Sequence, residues 1–191
     1  MKSILVAVAV AAAGGALQAA EKIARPDVPT NIEVGTEFKL FARGHAIGTQ
    51  NFICAPTAGG TGVEWRFIGP QATLFEDGFQ NATHFHSMNP SRNNEIQATW
   101  QDSKDTSAVW ATRFDGSLDP AYVAPGAIEW LKLEVSGQVA GPLGGTRLAK
   151  ARWIQRINTI GGVKPVAGLC TTATLNTRVF VPYEADYYFY Q

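Results

Sequence analysis

Tyr183-Glu184-Ala185-Asp186-Tyr187-Tyr188-Phe189-Tyr190 alternates so that Tyr183, Ala185, Tyr187 and Phe189 fall on one side and Glu184, Asp186, Tyr188 and Tyr190 on the other. A period of two marks a strand, because successive side chains of extended backbone point to opposite faces. The apolar side predicts a core strand. Working back from it, the same alternation recurs at Phe38, Leu40, Ala42; at Val63, Trp65, Phe67; at Ala108, Trp110; at Leu131, Leu133, Val135; and at Trp153 with Ile154 and Ile157. Gly, Pro, Asn and Asp punctuate these runs, and about ten strands are expected. No stretch of a dozen residues carries a helical apolar stripe, and 19 glycines with 10 prolines weigh against helices. One helical turn is expected near residues 125–129. The fold class is therefore all-β, a single-domain antiparallel β-sandwich or barrel with long loops. Outer-membrane barrels need repeated membrane-length strands with an outward apolar band, and this sequence lacks them.

The N-terminus has a different character. Lys2 is followed by an uncharged, alanine-rich run over residues 3–20, with Leu17-Gln18-Ala19 before Ala20. A basic residue, a short apolar block and a small residue at the cut are the parts of a secretory leader, predicted here as residues 1–19. The run is too short and too rich in alanine to span a bilayer, and Glu21, Lys22 and Arg25 follow at once, so no transmembrane segment is expected after cleavage. Residues 20–35, with Pro26 and Pro29, read as an extended N-terminal segment, and residues 36–191 as one β-rich domain. Export to the periplasm or the extracellular space follows. In such a compartment Cys54 and Cys170, the two cysteines of the chain, pair by default. Removing Lys2 with the leader leaves 15 basic against 16 acidic residues, a balance that gives no footprint for nucleic acid.

Seven motifs in order carry a family resemblance: Gly48-Thr49-Gln50-Asn51-Phe52-Ile53-Cys54; Gly69-Pro70-Gln71-Ala72-Thr73-Leu74-Phe75; His84-Phe85; Asp115-Gly116-Ser117; Ile128-Glu129-Trp130-Leu131; Ile154-Gln155-Arg156-Ile157-Asn158-Thr159 with Gly161-Gly162; and Val181-Pro182-Tyr183 with the closing aromatic run. Together they resemble the domain-of-unknown-function family numbered 3455 over nearly all of the mature chain. The resemblance implies a secreted β domain and brings no catalytic residues with it. Some relatives carry a malate dehydrogenase label. Here no Gly-x-Gly-x-x-Gly follows a strand and no βαβ alternation occurs, so the residues give that label no support.

The residues that could carry chemistry are few. His84 and His86 lie two apart in a predicted strand, which puts both imidazoles on one face, a spacing that suits two metal ligands. A third would come from His45, Asp115 or Glu64; otherwise the two are hydrogen-bonded or surface histidines. Asp115-Gly116-Ser117 offers a nucleophile or an acid but is also ordinary turn chemistry, with glycine at positive φ. Arg156 is expected to pair with Asp186 or Glu184 if their strands are neighbours, since polar groups on an inner sheet face need partners. Among the tryptophans Trp65 and Trp100 are candidates to stack on a ligand, although at least three of the five should be core. No complete catalytic constellation emerges and no cofactor is implied beyond a possible metal at the histidines. The reading is a non-catalytic binding or envelope-associated domain for a small molecule, a glycan or an envelope component. The alternative is a metal-assisted or acid-base enzyme built on His84, His86 and a carboxylate.

Overall fold

A computed structural model describes residues 23–191, so the predicted leader, residues 1–19, lies outside the described residues. Eight strands form a closed barrel: β1 (Leu40–Pro56), β2 (Val63–Glu76), β3 (Phe79–Asn89), β4 (Glu95–Asp102), β5 (Ala108–Ser117), β6 (Trp130–Val139), β7 (Trp153–Gly161) and β8 (Arg178–Tyr190). Each strand pairs antiparallel with the next, and β8 returns to β1. All-β holds, and of sandwich and barrel the barrel is found. There are eight strands rather than about ten, because β1 and β2, 17 and 14 residues long, each join runs that the sequence makes look separate. Residues 125–129 are not helical. They hold an isolated bridge, Ala127 to Gly162, while single 3-10 turns lie at Thr30–Ile32, Ala167–Leu169 and Thr172–Thr174.

Side-chain size explains how the seam closes. On β1 the inward positions are Ala42, Gly44, Ala46 and Gly48, and their ladder partners on β8 are Phe189, Tyr187, Ala185 and Tyr183. Small residues on one strand make room for rings on the other, so the aromatic run fills an eight-stranded interior without forcing it open. All four β8 residues are at most 2% exposed. Burying each ring contributes about 1.5–3 kcal/mol. The turn between β2 and β3 uses Asp77 and Gly78, both at positive φ, the backbone that a two-residue hairpin of matching twist requires.

One end of the barrel is shut and the other is open. At the shut end Leu148 and Ala151 join the main core, and the buried Asp102 carboxylate meets the Arg147 guanidinium at 2.6 Å. Outside the wall, the chain ahead of β1 lies across β5 to β7. Ile32 is fully buried there, and Gln155, Lys132 and Asn31 tie this segment to the barrel through Ile32 O, Glu33 O and Gly116 O. At the open end the β1–β2 hairpin runs on past a bulge at Asn51/Phe52. Its tip packs Phe52 and Trp65 on the Cys54–Cys170 disulfide. Among the described residues no helix is long and apolar enough to cross a membrane.

Candidate functional site

The inward faces of β1 to β8 enclose a cavity of about 190 Å³ toward the open end. Its floor is Trp100, its walls include Leu131, Leu133 and Ala111, and its polar residues are Gln50, His84, His86, Arg113, Arg156 and Tyr187. Parity puts them there. Arg156 on β7 is the ladder partner of Leu131 and Tyr187, both inward. His84 and His86 are two apart on β3, so both face the interior, as their spacing predicts.

Arg113 faces the interior in register with Val109 and Ala111, and a bulge between Arg113 and Asp115 then breaks strand parity so that Gly116 faces in as well. Glycine at 116 is a matter of space, since a Cβ there would lie 2.5 Å from a Glu129 carboxylate oxygen and 2.9 Å from the Arg113 guanidinium. Over this gap Arg113 Nε and Nη2 donate to the two Glu129 oxygens at 3.2 and 3.3 Å. Asp115-Gly116-Ser117 is therefore the end of a strand and not a turn, and Gly116 is not among the positive-φ residues. The Asp115 carboxylate accepts the Gly116 N–H. Gly69 plays a related part on β2: at φ 126° it lets the His86 ring approach to where a Cβ would meet it at 2.7 Å.

Arg156 does not pair with Asp186 or Glu184. Those carboxylates project outward from β8, where Asp186 accepts from Asn158 Nδ2 and lies 2.8 Å from His45 Nδ1, and Glu184 is 3.4 Å from His45 Nε2. Arg156 Nη2 donates to the Glu129 backbone carbonyl at 2.9 Å, the Tyr187 phenol lies beside the guanidinium, and Nε has no partner. Among the described residues no carboxylate comes within ion-pair distance of it. Gln50 Nε2 and Trp100 Nε1, on residues 5% and 1% exposed, are likewise buried donors without partners.

Burial holds His84 and His86 toward their neutral forms. His84 lies flat on Trp100, ring centroids 4.1 Å apart, and its Nδ1–H donates to Thr99 O at 2.8 Å, which leaves Nε2 as an acceptor. Burial pushes it down to about 3, against the pull of that carbonyl and with a small push from the Arg156 charge. His86 is also lowered by burial. Burial drives the Tyr183 and Tyr187 phenols the other way, well above the ordinary tyrosine value, so both keep their protons. Among the described residues no group of three or more His, Cys, Asp or Glu side chains is placed to hold a metal. His45 sits on the outer wall and Asp115 and Glu64 belong to other faces, so the two histidines gain no third ligand from the residues that sequence offered.

His84 gives acid sensitivity a definite sign. Its folded value lies below 6.5, so between about 3 and 6.5 the unfolded chain binds a proton that the folded chain refuses. Stability is full above pH 6.5 and falls as pH drops toward 3, by at most about 1.4 kcal/mol per pH unit from this group. Urea unfolding at pH 7 and 4.5 should show a loss that is clearly smaller in His84→Gln. An equal loss in both proteins would remove His84 as its source.

Trp65 lies away from the cavity: it is buried beside the disulfide, and its Nε1 donates to Val166 O at 3.3 Å. Four of the five tryptophans are buried. The residues that sequence reasoning missed are Gln50, Arg113, Glu129 and Tyr187. A signal existed for three of them, since Tyr187 falls on the core side of the closing strand, Gln50 continues the inward register Ala42, Gly44, Ala46, Gly48, and Arg113 continues that of Val109 and Ala111. No curated protein and no solved structure matches the chain. A family model described as a protein of unknown function (DUF3455) matches residues 35–191, the barrel together with the few residues that lead into it, and the chain belongs to that family.

Proposed function

We propose that this is an exported, non-catalytic binding domain that takes a small molecule into the open end of its barrel. The observation that carries the reading is the set of buried donors without partners, Gln50 Nε2, Trp100 Nε1 and Arg156 Nε, on residues lining one cavity. Leaving a buried donor unsatisfied costs about 1–3 kcal/mol, a cost that a ligand supplying acceptors removes when these side chains turn toward it. An eight-stranded barrel has room for one such molecule. Holding is favoured over turnover because no nucleophile, base and orienting acid converge on the cavity, whose lining holds no aspartate, glutamate, serine or cysteine. The disulfide and the leader-like N-terminus support an oxidising compartment outside the cytoplasm.

A thermal-shift screen of soluble metabolites against the mature chain tests this. At least one compound at about a hundred times its Kd should raise the unfolding midpoint by several degrees, since such occupancy adds about 2.7 kcal/mol. Mass spectrometry should recover that compound unchanged. Expression with the leader in a secreting host should yield a product lacking residues 1–19. A screen with no shift for neutral, cationic or anionic compounds would overturn the binding reading, and a compound converted on incubation would overturn the non-catalytic one.

A further inference from the structure

We propose that the ligand class is a carboxylate with a compact apolar body, bound through Arg156; this rests on the binding reading above and narrows it. The charge count in the cavity comes first. Two guanidiniums face it, and Glu129 engages both nitrogens of Arg113 that it can reach, which neutralises that one at the open end. His84 and His86 carry no charge there at neutral pH. No aspartate or glutamate side chain lines the cavity. One positive charge, that of Arg156, is left over in a partly buried setting, where an unpaired ion is costly. The complement is a single negative charge.

The hydrogen-bonding inventory selects the group that bears it. The buried atoms of the lining without partners are Arg156 Nε, Gln50 Nε2 and Trp100 Nε1, and all three can only donate. Once these side chains turn toward the cavity, a group that accepts and does not donate answers them, and an ionised carboxylate is such a group, planar like the guanidinium edge it would face. A phosphate monoester would bring close to two charges against one. The rest of the cavity sets the body. Trp100, Leu131, Leu133, Ala98, Ala111 and Pro70 are apolar, and about 190 Å³ suits a single ring or a branched alkyl group rather than a chain of sugars. Phe67, 42% exposed and edge-on to His86 at 5.5 Å, stands at the rim with its ring available.

Calorimetric titration of the mature protein with benzoate, cyclohexanecarboxylate, benzamide and phenyl phosphate tests the assignment. We expect saturable binding of at least one of the two carboxylates, at least tenfold weaker binding of benzamide, and weaker binding of phenyl phosphate. Arg156→Gln should lose at least tenfold in carboxylate affinity, with its fold checked by circular dichroism and its midpoint. The comparison of benzoate with benzamide is made on the unaltered protein, so it stands even if the variant fails to fold. Benzamide binding as well as benzoate, or phenyl phosphate binding more tightly, would overturn the carboxylate assignment while leaving the binding reading intact. No saturable binding of either carboxylate up to millimolar concentration would overturn it too, and only a blank metabolite screen as well would overturn the binding reading.

Discussion

Replacing Cys54 and Cys170 together by alanine is expected to lower the unfolding free energy by about 4 kcal/mol. The bond joins positions 116 apart, so breaking it releases a very long loop in the unfolded chain, where the entropy gained is largest. It also fastens the tip of the β1–β2 hairpin to the segment before β8, with Phe52 and Trp65 packed on the sulfurs. Alanine is the better probe, because Cys54 is fully buried and a serine hydroxyl there would add a desolvation cost of its own. In urea the midpoint should fall by about 2 M at a slope typical of a small domain. Reduction of the unaltered protein should reproduce the shift. A change below about 1 kcal/mol in both experiments would mean that the hairpin tip is held by packing alone.

Trp100→Ala should cost a similar amount, about 3–5 kcal/mol. The indole is 1% exposed, stacks on His84 and meets Tyr187 and Phe189 at 5.4 and 6.4 Å between ring centres. A closed barrel cannot collapse onto the space left behind, since its circumference is set by eight hydrogen-bonded strands. The cavity term therefore stays near its full value. Circular dichroism in urea is the suitable measurement, because the substitution removes a fluorophore. Trp153→Ala offers the contrast: that ring lies on the outer wall under Lys132, and its loss should cost much less. Equal costs for the two would show that Trp100 does not anchor the interior.

The comparison of sequence with structure turns on register. Alternation over residues 183–189 placed Tyr183, Ala185, Tyr187 and Phe189 inside, and the spacing of His84 and His86 put both rings on one face, because parity within a strand is a local property. Parity across strands is not. Arg156 and Asp186 occupy adjacent strands, yet Asp186 is laddered to Ile157 and Arg156 to Tyr187, an offset of one that sends their side chains to opposite sides of the wall. Alternation alone also reads the same for a sandwich as for a barrel, and only the pairing of β1 with β8 decides between them. The bulge after Arg113 was equally hidden. Nothing in Arg113 to Gly116 announces it, and it is what turns Gly116 inward against the Arg113–Glu129 pair.

The seam between β1 and β8 also sets an order of events. Its partners are far apart along the chain: His45 and Asp186, in contact across it, are 141 positions from each other. As the chain is synthesised, β8 is the last strand to emerge, and until it does β1 and β7 each present an unpaired edge and the small residues of β1 face no rings. Contacts of such long range are slow to form, and open edges recruit strands from other molecules. Little is gained by folding early. The barrel locks in one late step, with β8 as the bolt.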